Sequence, residues 1–325
     1  MRYGEEDRES KNVEDRRGEG GGFPFPGGRG GIQIPIGGGG FSFTTLLILG
    51  ALMLFMGINP LDILLGPQGG GGGQINMPQL PRSERPATTE RTKVDIPGLP
   101  GETREAKGPA DEDEMKMFIG RVLADTEDVW QGVFKGFGQK YEEPPLVLFS
   151  GYTQTACGAG QAAMGPFYCP LDRKVYIDLA FYDQMKRQFN VNGDFAQAYV
   201  VAHEVGHHVQ TLLGIAEKVQ ELKGRSDERT SNKIQVRMEL QADCLAGVWA
   251  NLNHQMKSRL QEGDIEEALN AATQIGDDMI QKKTTGRIVP DAFTHGTAEQ
   301  RRRWFTTGLK SGKMETCDTF NTSDL

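Results

Sequence analysis

The stretch from Gly193 to Gly214, GDFAQAYVVAHEVGHHVQTLLG, decides how the rest of the chain is read. Gly193 and Asp194 supply a helix start, Asp194 with Gln197 fits a capping box, and Gly214 supplies a stop. Between them Phe195, Ala198, Tyr199, Val201, Ala202, Val205, Val209 and Leu212 recur at helical spacing. His203 and His207 stand four residues apart on this helix, about 40° around its axis, so both rings can reach one ion. Glu204 lies beside the first of them. Neutral ring nitrogens hold a divalent metal, and an adjacent carboxylate can take a proton from water in an open coordination position. Three of the chain's five histidines fall between positions 203 and 208, which singles out this turn.

A tetrahedral site needs a third protein ligand. A third histidine six residues after the second is absent, because Gln210 and Leu213 stand where Gly and His are required. Downstream, Glu239 and Asp243 are again four apart, inside a second helical pattern of Ile234, Val236, Met238, Leu240, Leu245, Val248 and Trp249. Glu239 suits the third ligand. Asp243, one turn on, suits an acceptor for the free N–H of His203, fixing that ring's tautomer. A solvated acidic face is the competing reading. The neighbours Ala242, Leu245, Ala246 and Gly247 argue against it, since a buried charge needs a partner. A nitrogen and carboxylate ligand set fits Zn²⁺.

The longer strings carry a family resemblance: Ser150 to Gly158, Gly165 to Pro170, Val175 to Leu179, His203 to His208, Glu239 to Trp249 and His295 to Phe305. HExxH followed by Glu-x-x-x-Asp, with Ala242 before Asp243, resembles the gluzincin metallopeptidases. Together the strings look like the bacterial family of putative neutral zinc metallopeptidases. The resemblance covers roughly residues 110–325, plus a glycine-rich N-terminus with a single span. It implies an α+β, zincin-like domain, mainly helical with a small β-sheet, bound Zn²⁺ and a peptide or protein substrate. By analogy with that fold, the strand before the metal helix is expected to form a sheet edge on which an extended substrate lies.

The chain has 325 residues, 37% of them hydrophobic, and a net charge of −8, enough for one sizeable core plus tails and a poor match to a nucleic-acid partner. Residues 1–40 mix charges with glycine runs and read as a disordered cytoplasmic tail. Residues 41–65, uncharged from Phe41 to Ile58, read as a transmembrane helix. Residues 66–110 read as a flexible linker, and 111–325 as the metallopeptidase domain, opening on a helix through Met115, Phe118, Ile119, Val122, Leu123, Val129, Trp130 and Phe134. Cys157 and Cys169 bracket a glycine-rich loop, which leaves Cys244 and Cys317 as a second pair. Four cysteines allow three connectivities. Disulfides place the domain outside the cytoplasm, giving a single-pass inner-membrane protein with an extracytoplasmic catalytic domain.

Val175, Ile177, Leu179 and Phe181 alternate with Tyr176, Asp178 and Ala180 as a half-buried strand, with Leu146 to Phe149 as its partner. His295 precedes a helix opened by a Thr297/Gln300 capping box, and it can donate to the oxyanion of a tetrahedral intermediate or simply bond to backbone. His208 reads as a packing residue behind the ligands and His254 as solvent-exposed. Arg301 to Arg303 read as a solvated or salt-bridged helix face, with Trp304 and Phe305 turned inward. The chemistry this implies is peptide-bond hydrolysis: His203, His207 and Glu239 hold the metal, and Glu204 moves the proton. A zinc-bound, non-hydrolytic peptide-binding protein keeps the same ligands, so it stands as the alternative.

Overall fold

The computed structural model describes residues 1–19, 109–161, 165–189, 191 and 193–325. The apolar stretch 41–65 and nearly all of the 66–110 segment lie outside them. No helix among the described residues is long and apolar enough to cross a membrane.

Among the described residues, six strands form a sheet and a separate hairpin: β1 (Val13–Asp15), β2 (Leu146–Phe149), β3 (Tyr152–Thr155), β4 (Gly158–Gln161), β5 (Phe167–Cys169) and β6 (Lys174–Asp178). The sheet order is β1-β2-β6-β5, with β1, β2 and β6 parallel and β5 antiparallel to β6. The helices are α1 (Pro109–Gly136), α2 (Ala180–Phe189), α3 (Asp194–Leu212), α4 (Ile215–Gly224), α5 (Glu228–Lys257), α6 (Asp264–Gln274), α7 (Asp277–Thr285) and α8 (Ala298–Ser311).

α3 is apolar on nearly every face, so it can only be a central helix. It packs against α1, α5 and α6, while α8 lies along α5. Glycines set the separations. A Cβ on Gly206 would stand 3.1 Å from the Ala242 carbonyl oxygen, and one on Gly308 only 1.9 Å from that of Cys244. Gly247 faces the Phe305 carbonyl in the same way, at 2.1 Å. The three helices therefore touch backbone to backbone where the candidate ligands lie.

The strand reading needs two corrections. β6 ends at Asp178, not Phe181, because the Asp178 carboxylate accepts from the Ala180 and Gly151 amides (2.9 and 2.7 Å) and turns the chain into α2. It is also internal, hydrogen-bonded to β2 and β5, so it cannot be the edge on which a substrate strand lies. Both of its faces are covered. Val175 and Ile177 join the main core, while Tyr176 packs with Val147, Phe149 and Cys169 on the other face. The edge beside α3 belongs to β5.

The helix starts differ too. Gln197 and Asp194 form no capping box. Gly193 is the N-cap without a side-chain bond, and the Glu267 carboxylate accepts from the Phe195 amide at 3.1 Å. The first turn of α3 is thus capped from α6, by a residue far away in sequence. The Thr297/Gln300 box at the start of α8 is present.

Residues 1–19 are not a disordered tail. Met1 and Ser10 are buried, and β1 completes the sheet. Of the charges that suggested solvation, Asp7, Arg8, Asp15, Arg16 and Arg17 have partners. Arg8 bonds Glu127 and Asp128 (2.7 Å each), Asp7 pairs with Arg259 (2.7 Å), and Tyr3 donates to Asp125 (3.0 Å) while Arg259 stacks on its ring. Glu127 and Asp125 are themselves buried; Arg8 of the N-terminal segment pairs with Glu127, while Asp125 is paired with Lys257 and Arg259 and accepts a bond from Tyr3. A three-residue strand has no periodicity to detect, and paired charges look like solvated ones until their partners are placed.

Two disulfides are present, Cys157–Cys169 and Cys244–Cys317. The first ties the hairpin turn to β5, and the second ties α5 to a 3₁₀ turn at Met314–Cys317. Because the α5–α8 crossing has no room for a side chain, Gly308→Ala should cost about 1–3 kcal/mol of stability through overpacking. Urea titration against wild type measures this, and equal stability would show that the crossing can widen freely.

Candidate metal centre

The close approach of α3 and α5 at Gly206 and Ala242 sets His203 and His207 opposite Glu239. Glu239 Oε2 lies 3.2 Å from His203 Nε2 and 3.3 Å from His207 Nε2. One donor atom from each of the three residues lies within 4.8 Å of the others. Two ligands at about 2.0–2.1 Å in a tetrahedron stand about 3.3 Å apart, so these residues fit a zinc ion. The two Nε2 atoms face inward because both Nδ1 atoms are engaged elsewhere.

His203 Nδ1 is 2.8 Å from Asp243 Oδ1. Asp243 is fully buried and also accepts from Tyr199 Oη (2.5 Å), Arg301 Nε (2.8 Å) and Arg301 Nη2 (3.0 Å). Burial alone would raise its carboxyl, but the Arg301 and His203 charges outweigh this and hold it at about 2. Asp243 therefore stays an anion and keeps the His203 proton on Nδ1. Of the arginine run expected to be solvated or salt-bridged, Arg301 is salt-bridged but lies in the interior; only Arg302 and Arg303 are exposed, while Trp304 and Phe305 point inward.

His207 is oriented by amides. Its Nδ1 lies 2.8 Å from Gln210 Oε1; the Gln210 amide donates to the Met238 carbonyl (2.8 Å) and Gln241 (3.0 Å), and Gln241 donates to the Cys317 carbonyl (2.9 Å). This relay runs from a candidate ligand to the backbone beside the second disulfide. Glu239 is steadied by Gln235, which donates to Oε1 at 2.7 Å and accepts from Lys223 at 2.6 Å. Sequence reasoning missed Tyr199, Gln210, Gln235, Gln241 and Arg301. Gln235 is one turn before Glu239, and Gln210 is three residues past His207, so helical spacing could have found both.

Burial would suppress charge on His203, yet Asp243 and Glu239 lift it to about 10 in the metal-free site. Burial likewise opposes the His207 cation, and Glu239 overrides it. The pocket's anions thus call for a cation, whether protons or a metal. Glu204 is buried next to His203. Desolvation raises its carboxyl despite the opposing pull of both imidazoles, a direction that favours proton acceptance near neutral pH once a metal has replaced those protons.

His295 is half-exposed on the loop before α8. Asp277 fixes that loop, accepting from the Thr294, His295 and Gly296 amides (2.7, 2.6 and 3.1 Å) and lying 3.2 Å from His295 Nδ1. Burial opposes the Glu239 anion, but the His207 and His203 rings hold that carboxyl well below its usual range. His208 faces away from the ligands. Tyr168 Oη lies 3.0 Å from its Nδ1, and its Nε2 donates to the Glu142 carbonyl at 2.6 Å. His254 is exposed.

A central HExxH helix facing a Glu-bearing helix, beside a small mixed sheet, defines a zinc-peptidase type of site. The family model described as "Putative neutral zinc metallopeptidase" matches residues 1–320, and this chain belongs to that family. It is 46% identical to the uncharacterized protein YpfJ of Escherichia coli (strain K12) over 316 residues, 97% of this chain and 98% of YpfJ. It is 44% identical to the uncharacterized protein Rv2575 of Mycobacterium tuberculosis (strain H37Rv) over 218 residues, 63% of this chain and 71% of that one. No solved structure matches it.

Gln210→Leu should weaken zinc affinity about 10- to 100-fold, measured by competition with a chromogenic chelator; an unchanged affinity would make the amide relay irrelevant. His208 is depressed by burial from its ordinary 6.5 to about 4. The unfolded chain therefore takes up that proton first as pH falls. Stability from neutral His208 is complete above about pH 6.5 and is lost between there and about pH 4, by about 3 kcal/mol. Denaturation of the chelated protein across that range should show a shallower pH slope for His208→Gln than for wild type.

Proposed function

We propose that this protein is a zinc-dependent peptidase that hydrolyses peptide bonds in an extracytoplasmic compartment. The observation that carries this reading is the convergence of His203, His207 and Glu239 on one point, with the buried Glu204 carboxylate beside it. A purely structural zinc site is closed by four protein ligands, whereas three leave a position for solvent. Family membership supports the same ion and the same class of reaction. The two disulfides support an oxidising compartment.

Zn²⁺ bound by these three side chains would polarise the scissile carbonyl and lower the pKa of water in the open position. Glu204, buried beside these ligands, is placed to accept a proton from an attacking water and would return it to the leaving amine. Asp243 and Gln210 keep the two imidazoles turned inward, so the nitrogens do not have to be oriented anew at each turnover. His295, held by Asp277 on the loop before α8, donates to the carbonyl oxygen as negative charge develops there. The substrate is a peptide or a protein segment.

Glu204→Gln should retain zinc and abolish cleavage, whereas Glu239→Ala should lose metal content. Both are read by metal analysis of purified protein together with mass-spectrometric detection of new termini in a peptide library. Turnover by Glu204→Gln at the wild-type rate would overturn the assignment of the base, and full zinc in Glu239→Ala would remove that residue from the ligand set. A wild-type protein that binds zinc and cleaves nothing would leave the binding-protein reading in its place.

A further inference from the structure

Residues 1–19 and 109–325 flank the apolar stretch that the sequence offers as a membrane span, yet they fold as one body. β1 is hydrogen-bonded in parallel to β2 from Val13↔Leu146 to Asp15↔Leu148, and the pairing continues on both sides through Leu146 N to Asn12 O and Arg16 N to Leu148 O (2.8 Å each). Ser10 N donates to Gly120 O at 3.0 Å, and Arg2 N to Arg259 O at 2.9 Å. The side-chain contacts of Tyr3, Asp7 and Arg8 reach α1 and the loop after α5. Hydrogen bonds of this length cannot span a hydrocarbon layer about 30 Å thick. Stripping the segment away would also leave the buried Asp125 without Tyr3, and the buried Glu127 without Arg8, Ser10 and Asn12.

The two ends of the described chain also lie together. Arg17 reaches the Glu112 carbonyl and the Asp113 carboxylate at 3.4 Å, and Lys116 bonds Asp15 at 2.9 Å. The described residues on either side of 20–108 thus lie along one edge. We propose that residues 1–19 and 109–325 stand on the same side of any bilayer this chain meets. A single crossing between them is incompatible with the fold, so the N-terminal segment shares its compartment with the candidate zinc site and both disulfides. The inference rests on strand pairing and ion pairs alone, and is independent of the peptidase reading.

The test uses the full chain in membrane vesicles from the expressing cells. A Cβ built on Gly120 lies 3.7 Å from Glu9 Cβ, inside the range of about 3.5–4.5 Å that a disulfide bridges. In Glu9→Cys/Gly120→Cys, after cutting at a protease site inserted between residues 66 and 108, the two fragments should stay joined without reductant and separate with it. Single Glu6→Cys and Glu221→Cys variants, both at exposed positions, are then treated with a membrane-impermeant maleimide in right-side-out and inside-out vesicles. The expected result is that both label in the same vesicle type and both label after detergent lysis. Labelling of the two in opposite vesicle types would overturn the proposal.

Discussion

Asp243 is a carboxylate with no exposure to water, and the candidate centre is arranged around the need to satisfy it. An uncompensated buried charge is strongly destabilising. Arg301 meets Asp243 with two nitrogens, Tyr199 adds a hydroxyl, and the remaining capacity goes to His203. Arg301 comes from α8, which reaches Asp243 only because Gly247 and Gly308 let α5 and α8 touch along their backbones. The orientation of one imidazole is therefore fixed in part by α8, a helix that carries none of the candidate ligands.

His203 and His207 are supported by different chemistry. His203 faces an anion, which strengthens its basicity and its hold on a cation. His207 faces the neutral Gln210 side chain, whose amide is itself held by Gln241 and backbone. One ligand is thus tuned electrically and the other mainly oriented. The Cys244–Cys317 bridge fixes the 3₁₀ turn whose carbonyl ends the amide relay, so this disulfide braces the site as well as the C-terminus.

The N-terminal segment changes what counts as the domain. Arg8 pairs with the buried Glu127 on α1 and β1 extends the sheet by a strand, so residues 1–19 belong to the folded unit together with α1. The family match covers both parts. An acidic or basic residue in a short irregular segment gives no local sign of whether water or a buried partner will meet it.

Periodicity along the chain was enough to place α3, α5 and α8 and to set His203 beside His207, because the faces of one helix follow from its rise and turn alone. The same regularity put Glu239 and Asp243 on one face, and the apolar residues around them marked that face as buried. Only the folded structure decided that Arg301 is internal, that β6 is a central strand, that α3 is capped from α6, and that residues 1–19 belong to the core. Each of these depends on a partner more than twenty residues away in sequence, or on two backbones meeting at glycine, and local spacing carries no information about either.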